Sequence, residues 1–97
     1  MALELRQTGD FAAWLASLQD AKAKSTIAKR LVRVASGLMG DVKPVGEGIS
    51  ELRIDFGPGY RLYLKQQGKT LIVLLCGGDK SAQKQDIRRA KKLSAGL

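Results

Sequence analysis

Between residues 50 and 80 two arginines, a tyrosine and two lysines recur at spacings that place them on one surface. Ser50, Leu52, Ile54 and Phe56 alternate with Glu51, Arg53 and Asp55, and after Gly57-Pro58-Gly59 the residues Tyr60, Leu62 and Leu64 alternate with Arg61, Tyr63 and Lys65. A period of two on both sides of a Gly-Pro-Gly turn predicts a hairpin. With both apolar sets turned to the core, Arg53, Arg61, Tyr63 and Lys65 share the opposite face, and Lys80 arrives from the end of the next strand. Arginine supplies a planar fork for phosphate, and tyrosine a ring on which a base can stack. The same pattern admits a plainer reading, cross-strand pairing of Arg53 or Arg61 with Glu51 or Asp55.

A second basic group follows. Lys84, Arg88 and Lys91 stand at i, i+4 and i+7, with Arg89 and Lys92 beside them. Such a stripe can track a nucleic-acid backbone or present a face for an acidic partner. The charge of the whole chain is arranged accordingly. Its 17 Lys and Arg against 9 Asp and Glu leave a net +8, and residues 61 to 97 hold nine cations against only Asp79 and Asp86. That asymmetry points to a polyanion or an acidic partner at the C-terminal third.

Several chemistries are excluded by residue type. There is no histidine, so Ser-His and Cys-His dyads and His-containing zinc sites are absent. Cys76 is the only cysteine and closes an apolar run, the position of a small buried hydrophobe. Gly77-Gly78-Asp79-Lys80-Ser81 invites comparison with a phosphate-binding loop, but Asp79 stands where a Walker motif has the glycine before Lys-Ser. A single phosphate can still meet such a turn, and a tight strand-to-helix connection reads equally well. No segment approaches the roughly 20 apolar residues of a membrane span, so a cytoplasmic chain is expected.

The elements that must position these side chains are legible from periodicity. At 97 residues and 44% apolar composition the chain is expected to fold as one domain over 1–97. Leu3, Leu5 and Gln7 alternate as a short first strand, and Thr8-Gly9-Asp10 offers a helix N-cap. Phe11, Trp14, Leu15 and Leu18 mark one helical stripe. Asp20 caps a second helix with Ile27, Leu31 and Val34 inward, Lys22, Lys29, Arg30 and Arg33 on the other face, and Gly37 as C-cap. The two helices are expected to form an antiparallel hairpin. Residues 40 to 48 read as a loop leading into sheet. After the hairpin, Leu71 to Cys76 reads as a strand buried on both sides, and a last helix turns Ile87, Ala90 and Leu93 inward. The predicted order is β-α-α-β-β-β-α in the α+β class.

Three stretches carry a family resemblance. Gly-Asp-Val-Lys-Pro-Val-Gly-Glu-Gly (40 to 48), Glu-Leu-Arg-Ile-Asp-Phe-Gly-Pro-Gly-Tyr-Arg-Leu-Tyr (51 to 63) and Leu-Leu-Cys-Gly-Gly-Asp-Lys-Ser-Ala-Gln-Lys-Gln-Asp-Ile (74 to 87) closely resemble the addiction module killer branch of the RelE/ParE toxin superfamily, also grouped with HigB-like toxins. The resemblance covers nearly the whole chain. It implies two N-terminal helices packed on a small twisted, mainly antiparallel sheet. It also implies a type II toxin neutralised by a cognate antitoxin, and for many relatives a metal-independent, cofactor-free endoribonuclease that cuts mRNA in the ribosomal A site by 2′-hydroxyl attack. The ParE branch inhibits DNA gyrase instead, and a non-toxic RNA-binding module is a third possibility.

Matched by motif, Arg61 in Gly-Tyr-Arg corresponds to the family's phosphate-contacting arginine, and Arg53 and Lys80 lie where other basic active-site residues occur. The implied assignment makes Arg61, Arg53 and Lys80 catalytic. It gives RNA contact to Tyr63, Lys65, Lys84, Arg88 and Lys91, with mRNA and the ribosome as partners and no metal, small-molecule cofactor or membrane. The sequence departs from relatives that use histidine, or a tyrosine in the last segment, for proton transfer.

Overall fold

The computed structural model describes residues 2–97. The elements run β1 (Glu4–Gln7), α1 (Gly9–Ser17), α2 (Ala21–Ala35), β2 (Val42–Gly46), β3 (Ile49–Ile54), β4 (Tyr60–Gln67), β5 (Leu71–Asp79), a 3-10 turn (Lys80–Ala82) and α3 (Gln83–Ala95). The five strands form one sheet in the order β1-β5-β4-β3-β2. β1 lies parallel to β5 and every other pair is antiparallel. The α+β class and the mainly antiparallel sheet agree with the sequence reading.

Two corrections concern the strands. Residues 42 to 46, expected in a loop, form the edge strand β2 against β3. Pro44 hid it, because proline breaks a central ladder but is tolerated on an edge. Gly77 and Gly78, expected in a turn, belong to β5. They are strand residues that carry no side chain because a neighbour occupies the space, Trp14 over Gly77 and Asp86 over Gly78.

Both faces of the sheet are covered, giving three layers. α1 and α2 close one face over Phe11, Ile27, Val34, Leu52, Leu62, Leu64 and Ile72. α3 closes the other over Ile49, Tyr63, Val73, Leu75, Cys76 and Ala90, with Ile87 and Leu93 packed against them. The surface opposite the first core, where the basic cluster was expected, is therefore mostly a second core.

β5 serves both cores through a register shift between Tyr63 and Leu64 of β4, which pair with Cys76 and Leu74 and leave Leu75 unmatched. The extra residue puts Leu75 and Cys76 on the α3 side together. Thr8 supports the bulge from α1: its hydroxyl donates to the Leu75 carbonyl at 2.6 Å and accepts from the Phe11 N–H at 3.0 Å as the helix N-cap. Beyond the bulge Leu62 pairs with Gly77 and Arg61 with Gly78, which sets the height of Arg61 on the α3 side.

Candidate functional site

The two arginines are brought together by register alone. Arg53 on β3 and Arg61 on β4 are direct cross-strand partners. Like charges in that relation repel, so the pair needs a counter-charge or a function. Glu51, paired with Tyr63 one step along the ladder, supplies the counter-charge: its Oε1 lies 3.5 Å from Arg53 Nε and 3.9 Å from Arg61 Nε. The plainer pairing reading thus holds for Glu51, with one carboxylate shared between two guanidiniums. Asp55 has no ion pair with either arginine among the described residues.

Exposure separates the three groups. The side chain of Glu51 is 0% exposed, that of Arg61 17% and that of Arg53 38%. The two guanidiniums thus form the accessible surface over a buried acid. Arg61 Nη1 donates to the Tyr60 carbonyl at 3.2 Å, while Arg53 Nε and Arg61 Nε find no hydrogen-bond acceptor within the protein.

Lys80 reaches the same corner. Its N–H donates to the Gly59 carbonyl at 2.8 Å, and it opens the 3-10 turn directly after β5. Gly59 has φ +82°, a conformation that favours glycine. A Cβ there would stand 3.3 Å from Lys80 Cδ and 3.6 Å from Arg61 Nη1. The bare turn residue thus lets Lys80 and Arg61 pack closely over it. The exposed Lys80 also borders a shallow cleft of about 260 Å³ with Ser81, Gln83 and Lys84. Asp79 caps the 3-10 turn through Ser81, whose hydroxyl and N–H hold the Asp79 carboxyl below its ordinary range.

The other expected contacts are redistributed. Tyr63 is fully buried in the second core and donates its hydroxyl to Glu51 Oε2 at 3.0 Å, so it presents no ring to a base. Burial and the Glu51 charge keep that phenol protonated well above its usual range. Lys65 donates to Ser94 Oγ at 3.0 Å and ties β4 to α3. Lys91 pairs with Glu47 at 3.4 Å across to the β2–β3 turn. Lys84 and Arg88 remain exposed, without an ion pair among the described residues.

Arg30, expected on a solvated helical face, is a structural clamp. Its guanidinium donates to the carbonyls of Arg53 at 2.7 Å, Met39 at 3.0 Å and Asp41 at 3.0 Å. It thereby fixes the backbone of Arg53 from the far side of the sheet. Cys76, as expected, is a buried thiol, pushed up to about 12 chiefly by burial.

Two site residues escaped sequence reasoning. Gln83, the first residue of α3, donates to Glu51 Oε2 at 2.7 Å. A contact 32 residues apart leaves no local signal. Asp86 is buried beside Cys76 and over Gly78, and burial raises its carboxyl above the usual range against the opposing pull of Arg89.

Over all 97 residues the chain is 48% identical to an uncharacterized protein of Haemophilus influenzae, 98% of whose length is covered, and the two belong to one family. No family model matches the chain. Among solved structures, the free-state Escherichia coli toxin RelE carrying two arginine-to-alanine substitutions superposes with a TM-score of 0.75 at 19% identity, covering 95% of this chain and 98% of that one. The chain has the RelE toxin fold. A chain of the RelBE2 toxin-antitoxin complex from Mycobacterium tuberculosis superposes with a TM-score of 0.67 at 18% identity, covering 82% of this chain and all of that one.

On this RelE fold the basic corner is assembled from the end of β3, the start of β4 and the residue after β5. A larger groove of about 660 Å³ lies elsewhere, between α2 and the end of β3, lined by Lys29, Arg33, Val32 and Asp55 among others. Of the cations that line it, Arg30 is turned to backbone carbonyls, whereas Arg53, Arg61 and Lys80 meet at the other corner. Among the described residues no cluster of potential metal ligands occurs, and no helix is long and apolar enough to cross a membrane.

Proposed function

We propose that this RelE-like chain is the toxin of a type II toxin-antitoxin pair, of the addiction module killer branch, and that it cleaves mRNA on the ribosome. The single observation that carries the reading is the opposed pair Arg53–Arg61, sharing one buried carboxylate, with Lys80 alongside. Two guanidiniums around one acid, with Lys80 at the adjoining turn, leave net positive charge at an accessible corner. That surplus matches a phosphodiester and the charge that grows on it during transfer.

In the proposed reaction the 2′-hydroxyl gives its proton to water and its oxygen forms a bond to the adjacent phosphorus as the bond to the 5′-oxygen breaks; the departing 5′-oxygen takes a proton from Lys80 or from water, leaving a cyclic phosphate and a free 5′-hydroxyl. Arg61 and Arg53 hold the non-bridging oxygens and offset their charge in the transition state. Lys80, the most exposed of the three, donates a proton to the departing 5′-oxygen or acts as a second clamp. The ribosome orients the mRNA, and positioning with charge stabilisation supplies most of the acceleration. The exposed Lys84 and Arg88 extend the basic track along the RNA backbone. The antitoxin is the competing partner, its acidic segment covering the basic corner or α3; an antitoxin complex that kept full affinity at high salt would count against an electrostatic contact.

The test is inducible expression with mapping of transcript 5′ ends. The reading expects growth arrest with new ends inside translated codons, and Arg61→Ala lowering cleavage by about 100-fold or more. Arrest with a DNA-damage response and uncut transcripts would favour gyrase as target. Expression without arrest would leave an RNA-binding module.

A further inference from the structure

Glu51 is the least accessible charged residue of the site and the one on which its geometry turns. Its carboxylate is 0% exposed. Burying a charge is unfavourable unless it is well paired and hydrogen-bonded, and a buried ion pair is often no more stable than an apolar replacement. Its arrangement is asymmetric. Oε2 is anchored by two donors, Tyr63 Oη at 3.0 Å and Gln83 Nε2 at 2.7 Å. Oε1 accepts no hydrogen bond and stands 3.5 Å from Arg53 Nε and 3.9 Å from Arg61 Nε.

The two anchors come from β4 and from the first residue of α3, so the carboxylate cannot turn without disturbing both. Its free oxygen is held toward two guanidiniums that strand register places opposite one another. Without that oxygen, mutual repulsion would drive the two side chains apart.

We propose that Glu51 is a positioning residue, whose buried carboxylate holds Arg53 and Arg61 together as one phosphate clamp under the control of Gln83. It touches no substrate, because the arginines lie between it and solvent. The proposal rests on the phosphate-binding reading of the corner and adds to it the origin of the clamp's shape. A clamp held in this way matters most when charge grows on the phosphate, so its loss should affect turnover more than RNA capture.

The experiment measures kcat and KM for mRNA cleavage in a purified translation system, with Tm for each variant. Glu51→Gln keeps the size of the side chain and an oxygen to accept from Tyr63 and Gln83 but removes the charge. It is expected to lower kcat by about 30-fold or more with KM unchanged within about twofold. Gln83→Leu, which removes one anchor and leaves the acid in place, should lower kcat by about 3- to 10-fold with KM again unchanged. Ile49→Ala, in the second core on the same strand, serves as the packing control and should lower Tm without lowering kcat per folded molecule.

The proposal is overturned if Glu51→Gln turns over at the wild-type rate while Arg61→Ala is inactive. It is also overturned if Ile49→Ala loses as much kcat as Glu51→Gln at equal Tm. Should Glu51→Gln not fold, Gln83→Leu decides: wild-type kcat there rejects the clamp. Cleavage at the wild-type rate by Arg61→Ala is a different failure, which removes the phosphate-binding reading itself.

Discussion

The carboxylate of Asp86, in the first turn of α3, lies on the backbone of Gly78 in β5, where any Cβ would overlap it. Gly78 is also the strand partner of Arg61. One missing side chain thus seats α3 on the sheet, with the Asp86 carboxylate in the place that a side chain would take. Gly78→Ala is therefore expected to destabilise the fold by about 1–3 kcal/mol, the range for overpacking. Urea denaturation checks the value, and adding Asp86→Ala should recover part of the loss in a double-mutant cycle, because the two sites are in contact.

On the other face Trp14 covers Gly77, with its ring also 5.8 Å from Phe11 and 6.1 Å from Tyr60, centroid to centroid. Trp14 is the single tryptophan, so its fluorescence reports on this packing alone. Gly77→Ala should displace the ring, red-shift the emission of the folded protein and destabilise it by about 1–3 kcal/mol. Unchanged emission would mean that the strand yields instead of the indole.

Arg30 joins three backbone carbonyls, including that of Arg53. Arg30→Met leaves those acceptors without their charged donor and is expected to destabilise the protein by about 2–4 kcal/mol and, under the proposed function, to reduce cleavage through a loosened Arg53. Arg30→Lys keeps the charge but has no planar fork, so it should recover less than half of the lost stability in the same denaturation assay.

Stability should fall at alkaline pH. Burial and the Glu51 charge hold the Tyr63 proton above the ordinary 10.0, and burial pushes Cys76 from 9.0 to about 12. In the unfolded chain both protons leave sooner. Above about pH 9 the folded state therefore binds more protons than the unfolded state, and rising pH favours unfolding. Thermal melts across this range should show Tm declining, and Cys76→Ala should flatten the part of the slope that begins near 9.0.

The exposed pair Lys84 and Arg88 tests the reach of the basic surface. Under the proposed function, Lys84→Gln with Arg88→Gln should weaken RNA engagement, raising KM by about 3- to 10-fold with kcat unchanged, and should reduce the salt dependence of binding. A change in kcat instead would place these residues at the reacting phosphate.

Much of this was legible in the residues. Alternation in 50 to 65 predicted both strands of the hairpin and put Arg53 and Arg61 on one side, because the pleat alternates side chains with strict period two. Thr8 and Asp20 predicted two helix starts through their capping oxygens, and both cap in the structure. β2 was obscured by Pro44, and the strand character of Gly77 and Gly78 by their residue type. In each case the local preference was real, but edge position or close packing overrode it.

What the sequence determined by itself was the supply of chemistry: no histidine, a cationic C-terminal third, and arginines set at strand spacing. Those properties depend on residue type and local period, which neighbours in sequence settle. The tertiary structure alone decided which of these cations work together. It buried Tyr63 under α3, gave Lys65 and Lys91 partners, turned Arg30 into a clamp, and placed Gln83 on a carboxylate 32 residues away. The physical reason is that each assignment depends on α3 closing the second face of the sheet. That closure is set by the bulge in β5 and the bare backbone at Gly78, and no periodicity within a single segment encodes it.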